Sequence, residues 1–192
     1  SQSNSGEVQN TAVGRYAGQG LTTGTHSTVV GAYALYTEGV GQGTTAIGRA
    51  SLYSQNTASL GHTGNSALGY KSGYFNATGQ NNTYLGYSAG LGASGQSNNY
   101  NTAVGTNALL SITDGGYNAV VGSRAGDALT TGNFNVMMGD FAGSTSVDVD
   151  STILIGHSAG GGGNFTSRAD GSIGIGYEAL NIITTGAGNT AV

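Results

Sequence analysis

The chain has 192 residues, with 37 glycines, no proline and no cysteine. Charged side chains fill only 7% of positions, and the glycine share lies far above the usual ~7%, which excludes a standard helical or α/β globule. A formal charge of −4, from five basic and nine acidic side chains, gives neither a nucleic-acid footprint nor a polybasic membrane patch.

The lack of cysteine rules out disulfides, thiolate metal sites and a cysteine nucleophile. Residues 1–192 show no signal-peptide pattern and no long apolar run, so any export is expected to use another route or another part of the gene product. Disorder is also excluded, because Val, Ile, Leu, Tyr and Phe recur at even intervals.

Those intervals are an internal repeat. The sequence NTAVG at Asn10 to Gly14 returns at Asn101 to Gly105, and the chain runs out in NTAV at Asn189 to Val192. Taking the motif glycine as anchor gives, in chain order, Gly14, Gly31, Gly48, Gly69, Gly86, Gly105, Gly122, Gly139, Gly156 and Gly176. Six of the nine intervals equal that from Gly14 to Gly31, and the others only insert. Residues 1–192 are therefore read as a single repeat domain of ten complete repeats and a truncated eleventh.

Each repeat predicts a strand, a corner, a return segment and a turn. The residue before the anchor is aliphatic or Met throughout (Val13, Val30, Ile47, Leu68 and onward) and is read as a core column. The residue one earlier, from Ala12 and Val29 to Leu154 and Gly174, forms a second and mostly apolar column on the opposite face. Three residues after the anchor the side chain is always Ala or Ser, which marks close packing. Ten residues after it, glycine recurs at Gly24, Gly41, Gly79, Gly115, Gly132 and Gly186, where a turn of positive φ is expected.

A period of about 17 residues is too short for paired helices or a propeller blade and suits one coil of a solenoid. The expected fold is all-β: a parallel β-solenoid or β-roll with one coil per repeat, identical columns stacking at about 4.8 Å. Two apolar columns on opposite strand faces predict that one lines the coil and the other packs against a neighbouring subunit, in a homotrimeric fibre. A monomeric solenoid with a wide apolar core is the alternative.

The segments NTAVGRYAG, STVVGAYAL, NSALGYKSG, NTAVGTNAL and NAVVGSRAG resemble the head repeats of trimeric autotransporter adhesins, the YadA-like family. They are still more similar to repeats of bacteriophage tail fibres and tailspikes, and the similarity covers nearly the whole chain. The resemblance implies a trimeric β-roll with a role in a surface fibre or in adhesion, located in the virion tail fibre or, alternatively, on a bacterial cell surface. In many such phage proteins a C-terminal chaperone domain assembles the trimer and is released by self-cleavage, and a chain breaking off in mid-repeat is consistent with that. The bacterial adhesin repeat is usually shorter, which favours the phage fibre.

Several motifs invite other readings. Gly156-His157-Ser158-Ala159-Gly160 matches the nucleophile elbow G-x-S-x-G, but its column also holds Tyr16, Tyr33, Lys71 and Phe141, and no histidine follows Ser158. The G-x-G-x-x-G at Gly90 to Gly95 has no helix pattern after it. Val147 to Asp150, VDVD, lacks the spacing of a calcium loop. Asp170 and Glu178 are the C-terminal carboxylates that could serve a polysaccharide-degrading tailspike. A degrading Thr column (Thr11, Thr28, Thr45, Thr83, Thr102) fits packing better than ice binding.

The expectation is a non-enzymatic fibre segment with no cofactor and no metal, no nucleic acid and no membrane insertion, whose partners are its own copies and a host cell-surface glycan. Candidate glycan-binding residues are Tyr16, Tyr33, Tyr70, Tyr87 and Tyr177, read as an aromatic ladder whose other role is simple stacking between coils. Period-breaking insertions at 54–64, 94–100 and 161–171 are the places to graft recognition.

Overall fold

The structure, a computed structural model, describes residues 9–57, 61–163, 169–183 and 185–192. Among the described residues there are eleven short strands and no α-helix. They are β1 (Thr11–Val13), β2 (Thr28–Val30), β3 (Thr45–Ile47), β4 (Ser66–Leu68), β5 (Thr83–Leu85), β6 (Thr102–Val104), β7 (Ala119–Val121), β8 (Val136–Met138), β9 (Ile153–Ile155), β10 (Ile173–Ile175) and β11 (Thr190–Ala191). They form one parallel sheet in strict sequence order. The register is the one the repeat dictates: Val13 lies beside Val30, Val30 beside Ile47, and the insertions do not shift it, since Ile47 still pairs Leu68 and Ile155 pairs Ile175. The chain is a β-solenoid of about ten turns, with ~17 residues per turn.

Backbone pairing between coils continues round the corner after each strand. The amide of Arg124 donates to the carbonyl of Thr106 one coil back at 2.9 Å, and the amide of Gly126 donates to Ala142 one coil forward at 2.9 Å. Farther round, Thr130 donates to Val147 at 2.8 Å. This requires unusual backbone. The second residue after the anchor is left-handed at Tyr16, Tyr33, Ala50, Lys71, Ser88, Asn107, Arg124, Phe141, Ser158 and Glu178, with φ between 51° and 61°. The strain of each such residue is held by the hydrogen bonds it makes possible. Ser158 thus has the backbone of its whole column, and its amide donates to the carbonyl of Asp140 at 2.9 Å.

The anchor glycine is fixed by space as well as by conformation. At Gly122, φ is 142° and a Cβ would lie 2.6 Å from the carbonyl carbon of Gly139. Among the glycines ten residues after the anchor, Gly186 has the expected positive φ, at 100°, and the earlier ones have a different cause. Gly24, Gly79, Gly115 and Gly132 do not have positive φ; a Cβ on Gly115 would collide with the Gly132 carbonyl oxygen and lie 2.8 Å from Ile112 Cδ1. Close approach of the next coil, and not turn handedness, selects glycine there.

The two apolar strand columns also exchange roles. From β2 to β10 the middle residue of the strand, not the residue before the anchor, lines the interior: Val29, Ala46, Tyr84, Ala103, Val120, Met137 and Leu154 are fully buried. The column expected to be core faces out, with Val13 58%, Leu68 49% and Leu85 42% exposed. The Thr column shares this outward face, as strand alternation requires.

In most coils interior volume is balanced between the strand's middle residue and the residue four after the anchor, although Val29 and Leu35 are both large and buried and Ala67 and Gly73 are both small. Ala46, Ala103 and Gly174 are matched by Leu52, Leu109 and Leu180, whereas Tyr84, Met137 and Leu154 are matched by Gly90, Gly143 and Gly160. A Cβ on Gly90 would lie 2.7 Å from Tyr84 Cζ, and one on Gly143 2.6 Å from Met137 Sδ. Packing at native density leaves no room for a second large group beside Tyr84, Met137 or Leu154 in the same coil.

The motif asparagine supplies a polar spine. Asn101 Nδ2 donates to the Gly115 carbonyl of its own coil at 2.9 Å, and its Oδ1 accepts the Asn118 amide of the next coil at 3.1 Å. Asn65, Asn82, Asn118 and Asn135 repeat both bonds. One side chain therefore closes its own turn and tethers the next, with its polar atoms satisfied where water is excluded.

Candidate functional site

The described parts of the three insertions are partly buried and partly exposed: Asn56, His62, Ser94, Gly95 and Tyr100 face outward, while others turn inward. Gln55 and Thr57 join the buried Glu38, whose carboxylate accepts from the amides of Val40, Gly41 and Thr57, from Gln55 Nε2 and from Thr57 Oγ1. Asn98 accepts the Tyr84 hydroxyl, and Ala169 is buried. Residues 58–60 and 164–168 of these insertions lie outside the described residues. The acidic candidates also hold backbone: Asp150 Oδ1 accepts the Asn133 amide at 2.6 Å and Asp170 Oδ1 accepts the Asp150 amide at 2.8 Å. No group of three metal-ligating side chains occurs among the described residues.

The tyrosine candidates do not form one ladder. Tyr16 and Tyr33 stand two residues after their anchors and meet at 5.2 Å, tilted by 45°. Tyr70 and Tyr87 stand one residue after theirs and stack at 5.2 Å. Tyr177 belongs to that second column but stacks on His157, at 5.6 Å, and His157 Nδ1 lies 3.6 Å from Asp140 Oδ2. A hydrogen bond to Glu178, followed by that group's charge, raises the Tyr177 hydroxyl above its ordinary pKa.

Two further aromatic files escaped the sequence reading. Tyr36, Tyr53 and Tyr74, five residues after their anchors, stack at 5.0 and 4.9 Å with planes within 6° of parallel. Tyr100, Tyr117 and Phe134, which precede the motif asparagine, stack at 4.7 and 4.9 Å. Equal spacing from successive anchors was the available signal, since a shared column on stacked coils puts rings face to face.

Where the files converge on the second, third and fourth coils, they enclose a cleft of about 370 Å³ lined by Tyr33, Arg49, Ala50, Tyr53, Tyr70, Lys71 and Tyr74. It exists because one column is interrupted. The left-handed corner carries Tyr33 on one coil and Lys71 two coils on, but only a methyl, Ala50, between them. The missing side chain is the opening, and the tyrosines on either side are its walls.

Electrostatically the cleft is positive. Arg49 Cζ lies 5.6 Å from the Tyr70 ring and Nη1 donates to Tyr70 Oη at 3.3 Å. Lys71 Nζ lies 5.5 Å from Tyr70 and 5.3 Å from Tyr74. Among the described residues neither cation has a carboxylate partner, and Glu38, the one carboxylate described before Asp114, is buried. Burial, then the charges of the neighbouring phenols Tyr74, Tyr36 and Tyr33, raise the Tyr53 hydroxyl above its usual pKa.

The second surface of note is the outward strand face. From β2 to β6 it pairs Thr or Ser with an aliphatic residue; from β7 to β10 both columns are apolar, as in Val136 with Met138 and Ile153 with Ile155. No known protein family, curated protein or solved structure matches the chain.

Proposed function

We propose that this chain is a structural segment of a homotrimeric fibre, of the kind found in phage tail fibres and receptor-binding proteins, that projects toward a host surface and adheres to it. The observation that carries the reading is the outward apolar file from Val13 to Ile175, whose members a single chain leaves exposed or half-buried. A contiguous apolar strip of this sort on a thin rod marks an association surface. Cyclic packing of three rods buries the strip round an axis without leaving an open sheet face. The resemblance of the NTAVG repeats to fibre and adhesin repeats supports the same reading, with a bacterial adhesin head as its close relative.

Light scattering coupled to size exclusion tests it. A trimer mass that falls to monomer when Leu85→Asp and Val121→Asp are combined supports the proposal. A monomer of the unsubstituted chain overturns it. A polysaccharide-degrading tailspike would release reducing ends from a host polysaccharide, and the fibre reading predicts none.

A further inference from the structure

We propose that the cleft over Ala50 is a binding site for an acidic saccharide, a pyranose ring bearing a carboxylate. The proposal rests on the adhesive part of the reading above and not on the trimer.

The cleft's volume, about 370 Å³, lies in the range of small-molecule sites, roughly 300–1,000 Å³. It spans three coils, about 10 Å at the spacing of parallel strands, which is room for one or two sugar rings rather than a folded partner. Its walls are tyrosines, whose ring faces pack on the C–H face of a sugar and whose hydroxyls donate and accept.

Charge narrows the class. Arg49 spends one N–H on Tyr70, leaving four guanidinium donors, and the Lys71 ammonium makes only ring contacts. Two cations facing one cleft without a carboxylate between them call for an anion, and guanidinium takes a carboxylate in paired, bidentate fashion. The surroundings favour its approach. Three of the chain's five basic side chains, Arg15, Arg49 and Lys71, precede Asp114, whereas seven of its nine carboxylates lie from Asp114 onward. An acidic polysaccharide is thus steered to the N-terminal coils and repelled from the rest of the rod.

Calorimetric titration of the assembled chain tests this with trigalacturonic acid and sialyllactose as carboxylated probes, lactose as the neutral probe and 3′-sulfated lactose, which bears no carboxylate, as the sulfated one. The decisive variant is Ala50→Tyr, which fills the opening with a residue that Tyr16 and Tyr33 already carry at the same left-handed position, so the coil accepts it. Arg49→Gln removes the anion contact and leaves the cleft open.

The expected result is saturable binding of a carboxylated probe, absent with lactose, weakened about tenfold or more by either substitution and falling as salt rises. No binding of either carboxylated probe, equal binding of lactose, preference for the sulfated probe, or unchanged affinity in Ala50→Tyr overturns it. A trimer that binds no acidic sugar defeats this inference and leaves the fibre reading intact; a monomer that binds does the reverse.

Discussion

The first five coils and the last five share one backbone and differ in almost everything attached to it. The N-terminal coils carry stacked tyrosines, three cations and a strand face of alternating hydroxyl and aliphatic groups. The C-terminal coils carry most of the carboxylates and a strand face that is wholly apolar from β7 to β10. A ladder of backbone hydrogen bonds that runs round each coil needs few particular side chains, and the positions it leaves free can be given to adhesion at one end and to packing at the other. Three substitution experiments break or sharpen that contrast.

The largest effect belongs to the shared backbone. Gly122→Val forces a branched side chain to φ 142° and against the Gly139 carbonyl, and should cost on the order of 4 kcal/mol or more, seen as loss of the cooperative melt by circular dichroism. Gly95→Ala imposes left-handed backbone at φ 81° but meets open space, so about 1–3 kcal/mol is expected. Equal costs at the two sites would show that strain alone, and not the next coil, selects the glycine.

Next is the polar spine. Asn118→Leu strands the Gly132 carbonyl and the Asn135 amide, which Asn118 now satisfies at 2.9 and 3.0 Å, and should lower stability by about 3 kcal/mol in a denaturant titration. A neutral result would remove the spine from the account.

The smallest concerns Tyr84, whose hydroxyl is buried against Asn98 and whose pKa burial drives far above the ordinary value. Folded Tyr84 keeps its proton where the unfolded chain releases it, near pH 10. Its contribution is therefore complete below that pH and is lost as pH rises beyond it. Tyr84→Phe should cost about 1–2 kcal/mol at neutral pH through the unpaired Asn98 oxygen and blunt the alkaline loss. An unaltered pH profile in the variant would place the titration elsewhere.

The period, the parallel register and the coil were legible in the sequence, because a ladder of equivalent positions leaves its repeat in the anchor glycine regardless of what surrounds it. Which strand face is the interior was not. Val13 and Ala12 are both apolar, and alternation separates faces without saying which one is wet. The deciding clue was the reciprocal pairing of Ala103 with Leu109 and of Tyr84 with Gly90, a volume rule that becomes visible only once a corner brings residues four past the anchor over the strand. The cleft was half legible. Tyr33 and Tyr70 could be named, but Tyr53 and Tyr74 sit in a different column, and the residue that opens the site, Ala50, is conspicuous only for what its neighbours on either coil possess.

The stacking of equivalent residues is tested most directly by spin-label distances in this cysteine-free chain, with labels on His26 and, in turn, Tyr117, Phe134 and Ser151, diluted with unlabelled chain. These positions share one outward column of successive coils, so the distance should grow by about 4.8 Å per coil, reaching roughly 34 Å for His26 to Ser151. Distances that fail to lengthen in even steps along that series would contradict the solenoid.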